Sequence, residues 1–351
     1  MMRERRQIVE LWERGDAVAL ATLVRVEGSS YRRTGARLLI AANGDYAGSI
    51  SGGCLEAEII RKAQWMVREG ATLQRYSTLF DDTAEIPYGL GCGGTVEVLL
   101  EPAGTPEFNA LMEAIRASLH GETHFVGTSL PLPGKRLRRT VRRVKDVFCL
   151  SEGLADSYDN AFCETLDPPQ RLFVFGAGDD AQPVVRMAAL LGWSVIVVDG
   201  RAQWARAERF PEAERVLVAP TSDDLNIGSR DAVVVMTHGY EQDRAWLAAV
   251  LPSAPHYLGL LGARHRSALL VSEVAALLGW TLERACAGIF APVGLDLGGD
   301  GAEAIALSIV AEIQACHEGK LGASRRMAPE TVSELIARDG ASRYLQAQCA
   351  L

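Results

Sequence analysis

Two glycine-flanked cysteines are the residues best placed to do chemistry. Cys54 stands in Ser49-Ile50-Ser51-Gly52-Gly53-Cys54-Leu55-Glu56, and Cys92 in Tyr88-Gly89-Leu90-Gly91-Cys92-Gly93-Gly94. Glycine beside a thiol leaves the sulfur uncovered and lets backbone N–H groups approach what the thiol meets. A helical pattern opens at Cys54 and runs to about Glu69. That places the thiol at a helix N-terminus, where the dipole and free N–H groups favour the thiolate. The bland alternative for either cysteine is a small buried apolar residue. On the first reading Cys54 and Cys92 touch ligand or sulfur, and Gly52, Gly53, Gly91 and Gly93 shape the backbone around it.

A second set of candidates follows much later. Gly176-Ala177-Gly178-Asp179-Asp180-Ala181 comes after a strand pattern and opens a helix, with Ala181 in place of a third glycine. Asp199 ends the next strand, where an acidic side chain would hold a ribose hydroxyl. This grammar predicts a Rossmann-type fold, but cofactor binding is a separate matter. Asp179 and Asp180 put two negative charges where a pyrophosphate would sit, and they oppose it. NAD(P) binding at Gly176, Gly178 and Asp199 and a scaffold that has kept only the turn therefore both stand. His238, in Met236-Thr237-His238-Gly239 at a strand end, is a catalytic candidate or a helix cap. Arg264 and Arg266 follow the next strand and would suit a phosphate, or simply start a solvated helix. No tyrosine–lysine or histidine–carboxylate dyad is evident in this half.

Positioning these residues takes two domains. The 351 residues exceed one ordinary core, and 48% hydrophobic with 23% charged residues is a globular composition. Residues 1–165 read as a mixed α+β domain: a helix over Arg3–Arg14, strands over Ala17–Val26 and Arg37–Ala41, and a turn at Asn43-Gly44-Asp45. Further strands are expected at Thr95–Leu100, His124–Ser129 and Val147–Leu150, with a helix over Pro106–Leu119. Residues 166–170, with Pro168 and Pro169, form a stiff linker. Residues 171–319 alternate strand and helix, the pattern of a Rossmann-like, doubly wound parallel sheet. Residues 320–351 are a polar, weakly helical tail. The fold class is α/β, and the cysteine loops and the Gly176 turn are expected to face each other across a cleft between the domains.

Charge and cysteine usage narrow the function. A net charge of −8 argues against a nucleic-acid partner. Seven cysteines without a disulfide framework fit a reducing, cytoplasmic setting, and no signal peptide or membrane span is read. Cys149 and Cys316 fit a core; Cys163, Cys286 and Cys349 carry no signal. No C-x-x-C pair or Cys/His cluster points to protein-only metal ligation. The basic run Lys135–Lys145 reads as a charged strand edge, or as a contact for an acidic partner or anion.

Together these strings resemble the XdhC/CoxI family of xanthine dehydrogenase accessory proteins. The resemblance rests on Glu27-Gly28-Ser29-Ser30, Gly48–Glu56, Gly89–Gly94 running to Glu101-Pro102, Gly176-Ala177-Gly178 and Asp199-Gly200-Arg201. It continues in Met236-Thr237-His238, Gly259–Gly262 and Ala291–Gly298, the last running into Glu303–Ile313. Tyr31, the pair Asp179-Asp180 and Gly299-Asp300-Gly301 depart from the usual family pattern. The resemblance implies a chaperone that binds molybdopterin (molybdenum cofactor), supports its sulfuration and passes it to a xanthine dehydrogenase-type hydroxylase. It implies that hydroxylase and a cysteine desulfurase as partners. Exposed apolar positions in the first domain suggest a homodimer. The rival class is an NAD(P)-dependent oxidoreductase with Asp199 on the ribose and His238 as acid or base.

Overall fold

The computed structural model describes residues 2–53, 55–77, 94–131, 136–144, 160–218 and 222–322. The first half begins with α1 (Met2–Glu13), β1 (Ala17–Gly28), β2 (Arg37–Ala41), β3 (Tyr46–Gly48), α2 (Glu56–Met66), β4 (Thr72–Ser77) and β5 (Gly94–Pro102). The strands form an antiparallel sheet in the order β3-β2-β1-β5-β4. Strand periodicity sorts its two faces. Ala19, Ala21, Leu23, Leu38 and Ile40 pack on Ile59 and Ala63 of α2. Leu20 and Leu39 pack on Ile8 of α1 and on Leu111 and Ile115 of α3 (Pro106–Leu119). Pro106 starts α3 and the Thr105 hydroxyl caps it, accepting the Phe108 N–H at 3.2 Å.

A smaller sheet, β7-β6-β8, follows from β6 (Thr123–Ser129), β7 (Arg138–Val144) and β8 (Ala161–Leu166). Sequence patterning misses β4, where Gln74 and Arg75 interrupt the apolar residues, and β8, where Glu164 and Cys163 do. β7 carries the middle of the basic run and pairs with β6 alone among the described strands. Arg138, Arg142 and Arg143 are exposed as a charged edge requires, but Arg139 turns inward to a buried carboxylate, Glu101. Lys135, Lys145 and the strand expected at Val147–Leu150 lie outside the described residues.

From Arg171 the expected parallel architecture is present. Its elements are β9 (Arg171–Phe175), α4 (Ala181–Leu190), β10 (Ser194–Asp199), β11 (Arg215–Val218), α5 (Ser222–Leu225), β12 (Ala232–Val235) and α6 (Tyr240–Val250). Then come β13 (Tyr257–Leu260), α7 (Arg264–Leu278), α8 (Leu282–Ala287) and α9 (Ala302–His317). The strand order is β11-β10-β9-β12-β13, all parallel. Both faces of β9, β10, β12 and β13 are covered, which is why these four read as apolar runs, while the edge strand β11 is exposed at both ends. Leu172, Val174, Val195 and Val197 face α4 and α9, while Phe173, Phe175, Ile196 and Val198 face α6 and α7.

The two halves touch where the parallel strands begin. Arg5 donates to the Asp167 carbonyl at 2.8 Å, and Arg230, just before β12, pairs with Asp167 at 2.6 Å and bonds Thr123. Gly192, just before β10, lies against Met2 and Arg3. The Gly176 turn lies at the other end of β9, about 16 Å away along five residues of strand. The expected cleft between the cysteine loops and this turn is therefore not where the halves meet.

Candidate functional site

The first candidate region is the loop between β3 and α2. Gly52 and Gly53 both have positive φ, +88° and +118°. Such a turn gathers successive N–H groups into a concave anion receptor. Here the receptor is filled from within. Glu56, in the first turn of α2, accepts the N–H groups of Ile50 at 3.0 Å, Ser51 at 2.8 Å, Gly52 at 3.2 Å and Gly53 at 2.9 Å. It also accepts the hydroxyls of Ser49, at 2.8 Å, and Ser51. Burial alone would raise this carboxyl, but the Ser51 and Ser49 hydrogen bonds outweigh burial and bring it down to about 2. The backbone donors expected to meet a ligand are thus taken by the protein. Glu56 thereby holds Gly53, and the Ser51 hydroxyl accepts the Leu55 N–H at 2.9 Å, so the residues on either side of Cys54 are both tied. Glu56 reaches back only three to six residues for these N–H groups, so the contact is local in sequence, although it is not a capping box, since Leu55 is the N-cap and Glu56 the first helical residue.

The described edges of the two cysteine loops converge on one segment, Gly28–Tyr31. Gly94, which ends the second loop, faces the Ser29 backbone so closely that a Cβ there would collide with it. The Tyr31 ring covers Gly52 at 2.7 Å from where a Cβ would stand, yet Tyr31 remains 75% exposed. Arg32 is tied to Glu4 of α1 by two hydrogen bonds of 2.7 and 2.6 Å. Cys54, Gly91, Cys92 and Gly93 themselves lie outside the described residues.

The second region is the crevice between β9 and β12, where the strand order reverses and α/β sheets bind ligands. Gly176, at φ +122°, lies so close to the Met236 carbonyl that a side chain there would clash with it. Asp199 is buried, and the protein uses both its oxygens. Oδ2 accepts the Ala177 N–H at 2.8 Å and Arg201 Nη2 at 2.7 Å, while Oδ1 accepts the Arg201 N–H and Nε, both at 2.9 Å. Burial works to raise this carboxyl, and the Arg201 and Ala177 hydrogen bonds override it to hold it below the usual range. A ribose hydroxyl would have to displace Arg201 to reach Asp199.

The two aspartates after Gly178 are not bare charges. Asp179 pairs with Arg209 at 2.7 Å, and Arg209 also donates to the Ala177 carbonyl at 2.6 Å. Asp180 meets His238 Nε2 at 2.7 Å. A histidine–carboxylate pair therefore spans the crevice where none was evident in the sequence. Its members are 58 residues apart and adjoin only because β9 and β12 are neighbours. His238 is held at φ +62°, a left-handed conformation uncommon outside glycine and frequent at functional sites. Its side chain is mostly exposed.

The two arginines after β13 separate in role. Arg264 is exposed at the first residue of α7. Arg266 donates to Asp243 at 2.7 Å; Asp243 is fully buried and also accepts the Thr237 N–H at 3.1 Å and hydroxyl at 2.6 Å. Asp243, which sequence reasoning passed over, thereby anchors the loop that carries His238. Arg266→Ala should cost about 2–3 kcal/mol by leaving that carboxylate without its cation. Arg264→Ala should stay within about 0.5 kcal/mol. Urea midpoints of the two variants check this, and equal midpoints would refute it.

An antiparallel-sheet domain bearing a carboxylate-braced cysteine loop, followed by a Rossmann domain with a paired histidine at its switch point, defines the class. Two family models match the chain: the XdhC and CoxI family over residues 11–77, and the XdhC Rossmann domain over residues 172–313. A Bacillus subtilis (strain 168) protein, described as a probable xanthine dehydrogenase subunit, is 31% identical over 326 residues, spanning 86% of this chain and 94% of that protein. The molybdenum cofactor insertion chaperone PaoD of Escherichia coli (strain K12) is 26% identical over 319 residues, 87% of this chain and 85% of its own. The crystal structure of a xanthine dehydrogenase from Bacillus halodurans matches with a TM-score of 0.75 at 27% identity, over 94% of this chain and 99% of that one. The chain belongs to the XdhC and CoxI family.

Proposed function

We propose that this protein binds molybdenum cofactor as cargo, supports its sulfuration with a cysteine desulfurase, and delivers it to a xanthine dehydrogenase-type hydroxylase. The observation that carries this reading is the match to the cofactor insertion chaperone over most of both chains. The site agrees with it chemically. Cys54 and Cys92 supply soft thiolates suited to molybdenum and sulfur. Glu56 accepts the Gly53 N–H and the Ser51 hydroxyl, and the same Ser51 oxygen accepts the Leu55 N–H at 2.9 Å, so both neighbours of Cys54 are tied to one network. The crevice at Gly176 and Gly178 offers a helix N-terminus with His238 beside it for the pterin phosphate, and Arg264, exposed at the start of α7, is a further candidate for it. The halves meet at the end of the parallel sheet opposite the crevice, and a homodimer is the proposed form in which one cargo molecule reaches both regions.

Pterin fluorescence of the purified protein, and activation of the hydroxylase in its presence, test the proposal. Cys54→Ala or Cys92→Ala should lower that activation by tenfold or more while leaving the melting temperature nearly unchanged. Normal activation by both single variants would remove the thiols from the mechanism. The His238–Asp180 pair favours a second reading, an NAD(P)-dependent oxidoreductase. Against it, Asp199 is engaged by Arg201 and Ala177. Nicotinamide binding with turnover, lost in His238→Ala, would establish that reading instead.

A further inference from the structure

A cavity of about 140 Å³ lies within the first half, between the middle of α1, the start of β2 and β8. It is far larger than the share of one water, about 30 Å³. Its charged lining is unusual. The Arg37 side chain is only 5% exposed. Its Nη1 donates to the Gly35 carbonyl at 3.0 Å and its Nη2 to Glu164, but its Nε has no hydrogen-bond partner among the described residues. A buried N–H of a charged group left unpaired is costly and rare. Arg5 also lines the cavity, donating from Nη1 to the Asp167 carbonyl at 2.8 Å. Burial first, and then the like charge of Arg37, push the Arg5 guanidinium down to about 10, so it stays charged at neutral pH. Glu4 also lines the cavity, but Arg32 already holds both of its oxygens. Two cations thus face one available carboxylate, Glu164. Gly35, at φ +86°, keeps the space beside Glu164 open, since a Cβ would stand 3.2 Å from its Oε2.

We infer that this cavity is a binding site for a small tetrahedral oxyanion, gripped by Arg37 and Arg5. An oxyanion would satisfy the unpaired Nε, neutralise the excess positive charge and separate two guanidinium groups that now repel. Guanidinium forks match such anions in shape as well as charge. The site is independent of the cysteine loops and of the Rossmann crevice, so it stands whether or not the proposed cargo is correct.

Thermal melting and calorimetry of the full-length protein test it, with sodium phosphate or sodium sulfate against sodium chloride at matched ionic strength. Phosphate and sulfate should raise the melting temperature by several degrees beyond chloride and bind one per chain. Arg37→Met should weaken binding by about tenfold or more, the worth of one charged hydrogen bond. Arg37→Met also deprives Glu164 of its partner and could fail to fold. Arg5→Gln, which gives up only one bond to a carbonyl, is the second variant and should show a similar loss. Equal melting in phosphate and chloride would overturn the inference. So would binding within twofold of wild type in a folded variant, or acetate bound as tightly as phosphate.

Discussion

Arg139→Ala is expected to destabilise the protein by about 3–5 kcal/mol, the largest effect of any single surface-strand substitution here. Arg139 belongs to the basic run, but its side chain is 2% exposed and its partner Glu101 is fully buried. Nη1 and Nη2 reach the two Glu101 oxygens at 2.8 and 2.9 Å, Nε donates to the Thr128 hydroxyl at 3.0 Å, and Nη1 also donates to the Glu107 carbonyl at 2.8 Å. This fork ties β7 to β5, β6 and α3. Removing it strands a carboxylate where water does not reach. Removing both charges is far less harmful, so Arg139→Met combined with Glu101→Gln should recover much of the loss. Urea denaturation of the two single variants and the double variant measures the coupling. Simple additivity of the two single effects would show that the pair does not act as a unit. The exposed neighbours Arg138, Arg142 and Arg143 are expected to matter little.

Glu56→Gln should cost about 3 kcal/mol at neutral pH and should also lower activation of the client hydroxylase. The carboxylate holds four N–H groups and two hydroxyls, and the amide of glutamine cannot accept at both positions. The pH dependence has a definite sign. The folded-state value is about 2 against an ordinary 4.5, so the carboxylate adds stability above the ordinary value. That stability falls away as pH drops from about 4.5 towards about 2, and the span amounts to about 3 kcal/mol. Wild type and Glu56→Gln should therefore differ at pH 7 and converge at low pH. Parallel stability curves from pH 7 to pH 2 would show that the carboxylate does not brace the loop. A stable variant with normal client activation would show that bracing the flanks of Cys54 is irrelevant to function.

These two carboxylates illustrate how differently their environments were legible. Glu56 follows its two glycines by four and three residues, so its role is local and could be read from the chain. Glu101 marks the end of a strand and nothing in its neighbourhood names Arg139, 38 residues away. The same division runs through the second half. Gly176, Asp199 and the alternation of apolar strands with helices are local patterns, and the parallel sheet follows from them. Asp180 is visible at a helix start and His238 just past a strand, but their pairing depends on β9 and β12 lying side by side.

What the sequence by itself determined is most of the elements and their faces: two sheets in the first half less β4 and β8, the doubly wound sheet, and the glycine turns between them. Those outcomes depend on spacing of two to four residues, which periodicity and turn chemistry report directly. The tertiary structure alone decided which charges are spent. It gave Asp199 to Ala177, Asp243 to Arg266 and Arg139 to Glu101. It also set the two halves against each other at the beginnings of the parallel strands rather than at the crevice. The physical reason is that a buried charge must find its partner wherever the fold brings one, and that partner is chosen by proximity in space, which no local spacing encodes.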